Sequence, residues 1–224
     1  MTTTRRDRPA IDLQQVRETL TSPAISDTLD SFGYVRQCLD PGLAAVVGGT
    51  VMAGWAFPVR IERVYDLPAE PFRGLLAALD AISADEIFVT PTQRARDIAV
   101  WGELLSTAAT ARGAAGALTD GLIRDTAAIR ELGFPVFSAG TIPLDSRGRH
   151  EIIEHGIPVV LDGIRIEPGD LIFADSDGVV VVPQAVVEEV IRGALMKRTT
   201  ENQFRDAVAD GMLTVDAYRR FGVL

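Results

Sequence analysis

Apolar residues Leu13, Val16 and Leu20 recur at spacings of three and four behind Asp12, which predicts a helix capped by that aspartate. A second helix is predicted from Ser22-Pro23, because proline suits a first helical turn; Ile25, Leu29 and Phe32 share one side, and Gly33 ends it. Between Val46 and Val64 the period changes to two, with Phe57, Val59 and Ile61 on one face and Arg60 and Glu62 on the other, as in a half-buried strand. Residues 71–82 return to a helical stripe of Phe72, Leu75, Leu76, Leu79 and Ile82. The runs EIFV (86–89), GALTD (116–120) and PVFS (135–138) read as strands. Helices fill the gaps, one from Gly102 to Arg112 and one from Asp125 to Leu132. IAVW (98–101) is either a further strand or the approach to the first of these helices.

Beyond residue 155 the chain turns strand-rich in IPVVL, IRIEPGD, LIFADSDG and VVVV, and the PGD and SDG segments predict tight hairpins. Pro183 opens a long helix through Val187, Val190, Ile191, Ala194 and Leu195 toward Ala209, and a last helix carries Val215, Tyr218 and Phe221. With no internal repeat and no linker, the economical reading is one α/β domain over residues 1–224: a mixed central β-layer flanked by helices, a core at about 22–190 and a helical tail at 191–224.

Charge narrows the partners. Thirty-one acidic against twenty-two basic side chains give −9, and no basic stretch offsets it, so nucleic-acid binding is not expected. Cys38 is the single cysteine, which excludes an internal disulfide or a thiolate metal cluster and fits a reducing cytoplasm. The opening MTTTRRDRPAIDL lacks the apolar core of a secretory leader. No apolar run approaches the ~18 residues of a membrane span. A cytoplasmic protein without membrane contacts is expected.

Candidate chemistry concentrates where strands hand over to helices. Asp125, beside Arg124, opens the helix that follows the 116–120 strand; composition and spacing favour helix capping for Asp125, and Arg124 could equally be a surface charge. Yet ligands of α/β folds gather outside the carboxyl ends of strands, which keeps both residues as site candidates. Gly102 at a helix start lets an anion approach the free amides of Glu103, Leu104 and Leu105, although a tight turn with a dipole-complementing glutamate explains the same residues. Glu103, Asp120 and Asp125 are oxygen donors suited to Mg²⁺ or Mn²⁺, with Asp120 better explained as support for the Gly121 turn. His150 and His155 read as surface residues, and no Ser-His-Asp order, phosphate-binding loop or dinucleotide fingerprint is present.

Taken together, WGELLSTAATARGAAGALTDGLIRDTAAIRELGFPVFSAGTIPLDSRGR (101–149) and PGDLIFADSDGVVVVP (168–183) resemble the RraA-like family. That family includes class II 4-hydroxy-4-methyl-2-oxoglutarate aldolases and the regulator of ribonuclease activity A. The likeness extends from about Ser22 to Val190, and its specific part is G-x-L-L followed downstream by D-G-x-x-R-D. It implies a swivelling-domain-like αββα sandwich assembled as a homotrimer or hexamer, with sites between subunits. It also implies that Asp125 binds a divalent metal, Mg²⁺ or Mn²⁺, that Glu103 acts through a water on that metal, and that Arg124 holds the pyruvyl group. The amides after Gly102 would take the substrate carboxylate, and Glu201 is the candidate acidic residue supplied by a neighbouring subunit. SADEIFV lacks the PGD-type turn that precedes this strand in relatives, which marks a divergent member.

The implied activity is cleavage of a 4-hydroxy-2-oxo acid to pyruvate and a second oxo compound, with oxaloacetate decarboxylation as a side reaction. Two rivals stand beside it: a non-catalytic regulator that binds and inhibits ribonuclease E, and a swivelling phosphohistidine domain. Arg124 stands where the latter needs its phosphorylated histidine, so that likeness is read as architecture alone.

Overall fold

A computed structural model describes residues 8–223; the amino-terminal residues of the leader argument, through residue 7, lie outside them. The elements in chain order are α1 (Leu13–Thr19), α2 (Ser22–Ser31), β1 (Ala44–Ala45), β2 (Met52–Arg63), α3 (Arg73–Ala81), β3 (Glu86–Thr90) and β4 (Ala99–Trp101). Next come α4 (Glu103–Ala111), β5 (Gly116–Thr119), β6 (Leu122–Ile123), α5 (Thr126–Leu132), β7 (Val136–Ser138) and β8 (His150–His155). The rest comprises β9 (Val159–Leu161), β10 (Ile164–Ile166), β11 (Leu171–Ala174), β12 (Val179–Val182), α6 (Val187–Ala209) and α7 (Thr214–Phe221).

The main sheet runs β1-β7-β5-β3-β2-β11-β12, with β8 paired to the outer half of β2. Its centre is parallel (β2 with β3, β3 with β5, β5 with β7), while β11 and β12 extend it antiparallel. Parallel neighbours need crossovers, and α3, α4 and α5 provide them. Two-residue alternation divides the sheet residues between faces. Met52, Ile87, Val89, Leu118, Phe137 and Val181 line an inner face, closed by the β9–β10 hairpin through Leu161 and Ile166. On the outer face Phe88, Ala117 and Val136 meet α3–α5, while Trp55, Phe173 and Val182 meet α1, α2 and α6. The curled mixed sheet with helices outside it is the expected α/β sandwich.

Local chemistry explains most boundaries. Asp12 caps α1, its Oδ1 accepting from the amides of Gln14 and Gln15 at 3.0 Å each. Asp162 and Gly163 both have positive φ (48° and 80°) in the two-residue β9–β10 turn, the conformation such hairpins use. The SDG segment is a hairpin turn, as expected, joining β11 to β12. The PGD segment is not: β10 pairs with β9 and β11 with β2, so the chain changes sheets there. Asp170 is buried at that corner, its carboxylate accepting from the amides of Glu167 (2.8 Å) and Gln184 (2.9 Å). Burial raises its pKa against the opposing effect of these bonds. Pro183 stays extended and a 3-10 turn, Gln184–Val186, intervenes before α6 begins at Val187. The first half of α6 buries Val187, Val190, Ile191 and Ala194, whereas the second half buries none and packs with α7. No helix among the described residues is long and apolar enough to cross a membrane.

The surface reading of the histidines needs correction. His155 is half-buried and stacks on Phe57 with ring centroids 5.5 Å apart, and His150 is only 8% exposed. His150 begins β8 opposite Arg63, which itself pairs with Asp97, and its Nδ1 is buried with no hydrogen-bond partner. Burial lowers its pKa, Arg63 adds to the effect and Asp97 opposes it. In the unfolded chain the imidazole titrates near ~6.5, so below that pH the unfolded state binds the proton first and stability falls as pH falls. The loss levels off below the depressed native value. Urea unfolding of wild type and His150→Phe between pH 7.5 and 5 checks this: the stability difference between the two proteins is expected to shift against wild type on acidification. A difference independent of pH refutes it.

Candidate active site

Two short strands place the predicted residues. β4 and β6 pair in parallel, Ala99 opposite Leu122 and Trp101 opposite Ile123, so both strands end at one level. The amide of Arg124 donates to the Trp101 carbonyl at 3.0 Å, which locks the second strand end against the first. Immediately beyond lie Gly102 at the start of α4 and Asp125 at the start of α5. The β6 strand is absent from the sequence reading, which ran 116–120 directly toward a helix; two residues are too few for a periodic signal.

Trp101 anchors this junction from below. It is 3% exposed, packs with Phe88 and Phe134, and donates from Nε1 to Ser106 Oγ at 2.8 Å. Ser106 Oγ in turn donates to the Gly102 carbonyl at 3.0 Å. The first turn of α4 is thereby fixed, and the amides of Glu103, Leu104 and Leu105 have no intrahelical acceptor, as at any helix start. Gly102 has an extended backbone that any residue adopts, so the requirement for glycine is one of space. A Cβ there would meet Asp125 Oδ2 at 2.7 Å and Arg124 Cγ at 3.3 Å.

Asp125 is not a cap. It occupies the N-cap position in a left-handed conformation (φ 59°), and its side chain makes no capping bond. The carboxylate turns away from α5 toward α4, where Oδ2 lies 3.4 Å from the Glu103 amide. Arg124 extends alongside, with Nε 3.6 Å from Asp125 Oδ2 and Nη1 3.5 Å from Asp145 Oδ2. Both distances exceed those of ordinary hydrogen bonds, and the guanidinium makes no side-chain hydrogen bond among the described residues. Its donors are unspent. Ile123, Arg124, Asp125, Thr141, Ile142 and Pro143 line a shallow cavity of about 320 Å³. Roomier clefts between α3 and β8 (about 600 Å³) and beside Tyr34 and Pro183 (about 520 Å³) lie away from these strand ends.

The remaining candidates separate. Glu103 sits at the first turn of α4, its Oε1 accepting from Thr107 Oγ1 at 2.7 Å. Leu104 is exposed and Leu105 packs against the helical core. Asp120 is buried and does not hold the Gly121 turn. It accepts from the Thr92 amide and hydroxyl (2.5 and 2.9 Å) and from the Arg94 amide (3.0 Å), tying down the 92–94 loop. The Gly121 amide uses Thr119 Oγ1 instead. Glu201 lies on α6, which packs on α1, α2 and α7; it pairs with Arg198 at 3.7 Å, and one chain does not bring it to Arg124. Asp145 went unnoticed in the sequence, because no spacing ties it to Arg124.

A capping role and a site role for Asp125 differ in stability. Replacing a working cap such as Asp12 with Ala is expected to cost about 1 kcal/mol. Asp125→Asn, with no cap bond to lose and a residue type that tolerates left-handed backbone, is expected within about 0.5 kcal/mol of wild type. Denaturant unfolding of both variants measures the contrast; a loss at Asp125 equal to that at Asp12 restores the cap.

Comparison with known proteins adds a family. A family model named RraA-like, described as Aldolase/RraA, matches residues 22–181. Protein DlpA of Legionella pneumophila is 29% identical over 85% of this chain, which spans 30% of DlpA's length. A Halalkalibacterium halodurans protein named "Putative 4-hydroxy-4-methyl-2-oxoglutarate aldolase" is 28% identical over 93% of this chain and 94% of its own. The crystal structure of Streptomyces coelicolor RraAS2, described as an unusual member of the RNase ES inhibitor RraA protein family, has a TM-score of 0.77 at 28% identity. That match covers 88% of this chain and 98% of RraAS2.

Proposed function

This chain belongs to the RraA-like family, and we propose that it is a divalent-metal-dependent aldolase cleaving a 4-hydroxy-2-oxo acid to pyruvate and a second oxo compound. The observation that carries the reading is the Arg124 guanidinium, half-exposed and free of hydrogen bonds beside the amino terminus of α4. A planar fork of donors beside a helix start suits a small 2-oxo carboxylate, the Glu103 amide reaching Asp125 Oδ2 at 3.4 Å and those of Leu104 and Leu105 lacking an intrahelical acceptor. The aldolase name of the H. halodurans relative agrees with it.

The donor chemistry also fits a hard cation. Asp125 offers a half-exposed, uncapped carboxylate, and the backbone of Gly102 leaves open the space against Oδ2 that a Cβ would fill. Among the described residues no three acidic, histidine or cysteine side chains converge as a metal cage. Mg²⁺, which keeps several waters and takes one or two carboxylates, is compatible with such a site, as is Mn²⁺. Asp125 would hold the ion directly and Glu103 through water. Bound there, the cation supplies Lewis-acid polarisation of the ketone.

The chain's own residues do the rest. The amides of Glu103, Leu104 and Leu105 take the substrate carboxylate, and Arg124 donates to the 2-oxo oxygen. As the C3–C4 bond breaks, negative charge grows on that oxygen beside Arg124, where positive charge is already in place. The C4 hydroxyl proton leaves through water to Glu103, assisted by Glu201 of a neighbouring subunit. With oxaloacetate the same electron shift expels CO₂, giving decarboxylation as a side reaction. We also infer a homotrimer or hexamer, since the carboxyl-terminal helices leave Met196, Leu213, Val215 and Tyr218 exposed and the site draws on Glu201 from next door. The likeness to RraAS2 supports a second reading, a regulator that binds and inhibits ribonuclease E.

Pyruvate release from a panel of 4-hydroxy-2-oxo acids and oxaloacetate, beside a ribonuclease E pull-down, separates the two. Activity is expected with Mg²⁺ or Mn²⁺, to vanish in EDTA, and to fall by about tenfold or more in Arg124→Lys, which keeps charge but loses the fork. Ribonuclease capture without pyruvate release overturns the aldolase. Light scattering at micromolar concentration is expected to show trimers or hexamers; a fully active monomer removes Glu201 from the site.

A further inference from the structure

Asp145 stands across from Asp125 with Arg124 between them. The two carboxylates approach the guanidinium most closely at Nη1 and Nε, and the guanidinium makes no side-chain hydrogen bond among the described residues. Asp145 itself is held firmly. The neighbouring Leu144 carbonyl accepts from the Ala99 amide at 2.9 Å, which pins the segment to β4. The Asp145 carbonyl accepts from Arg149 Nη1 at 2.9 Å, and Oδ1 accepts from the Arg147 amide at 3.3 Å. That leaves Oδ2 as the oxygen facing Arg124.

We propose that Asp145 is a positioning residue: it holds the Arg124 guanidinium spread between two carboxylates so that its hydrogen-bond donors stay available to the ligand. The inference rests on the 2-oxo acid reading of the site. Its physical basis is a balance of charges. With Asp145 removed, Asp125 is the one ion-pair partner left to the guanidinium among the described residues, and Coulomb attraction draws the arginine onto the carboxylate that the site needs open. Arg124 then spends its Nε donor on Asp125 and turns its plane away from the substrate. Stability is not the purpose of the contact, because ion pairs between side chains 36% and 39% exposed contribute little to folding. The segment's fold depends on the backbone bonds and the Oδ1 turn contact, both of which an asparagine retains.

The test is a double-mutant cycle of Asp145→Asn with Arg124→Lys, with Asp145→Glu as the charge-retaining control. Oxaloacetate and a 4-hydroxy-2-oxo acid serve as substrates, and pyruvate titrations followed by ligand NMR serve as a readout independent of turnover. With Arg124 present, Asp145→Asn is expected to raise KM and weaken pyruvate binding by about tenfold, the scale of one charge-assisted contact. That change should exceed the loss in kcat. Asp145→Glu should recover part of the loss. In the Arg124→Lys background the same Asn substitution is expected to change binding by less than about twofold, because the fork it orients is gone. Equal factors in both backgrounds, or Glu as damaging as Asn, overturn the positioning role. A wild-type protein that binds pyruvate but releases none from either substrate fails the aldolase reading alone; the binding cycle then still decides Asp145. Wild-type protein that binds no pyruvate overturns both.

Discussion

Residues 99–101 and 122–123 lie side by side and run in the same direction, and that parallel pairing governs the site. Parallel strands end together, so the two segments that leave them begin at one level. Gly102 and the first turn of α4 therefore stand against Arg124 and Asp125. An antiparallel pairing of the same residues would put these ends at opposite edges. The bond from the Arg124 amide to the Trp101 carbonyl fixes the register. A slip of one residue would turn Arg124 into the core and Ile123 out of it.

The surrounding packing keeps that register from moving. Ile123 is fully buried and Trp101 nearly so, within the core that the parallel half of the sheet shares with α3–α5. The indole and Ser106 tie the carbonyl of Gly102 to the same core. Above this rigid floor the charges behave differently. Arg124, Asp125 and Asp145 are all part-exposed and more than 3.4 Å apart, with hydrogen-bonding capacity left over. Structural charges elsewhere in the chain are engaged more closely: Lys197 meets Asp27 at 2.5 Å, and Asp120 accepts three bonds. That contrast in engagement is what motivates the proposal of a ligand at these strand ends.

Helices and longer strands were legible because each carries its own periodicity. The alternation in the outer part of β2 and, within the stripe at 71–82, Leu75, Leu79 and Ile82 arise from burying one face, which spacing records directly; Leu76 of the same stripe is exposed. The β11–β12 hairpin announced itself through its turn residues. The PGD corner used equally turn-like residues for a different end, since a tight turn does not specify which strand pairs with which. His150 misled for a related reason: a histidine in a polar stretch reads as surface, and only the pairing of β8 with β2 buries it.

The sequence by itself determined the α/β class, the amphipathic elements and, through G-x-L-L and D-G-x-x-R-D, which residues are candidates for the site. Those features are local: a helix start, a strand end and a glycine each act on neighbours along the chain. Tertiary structure alone decided how the acidic residues divide their work. Spacing favours a cap for Asp125 and the Gly121 turn for Asp120; the aligned strands instead turn Asp125 toward Gly102 and tie Asp120 to the 92–94 loop. Asp145 meets Arg124 only because the segment after β7 returns along β4. A side-chain pairing between distant segments depends on strand register and chain return, and neither is written into the spacing of the residues that pair.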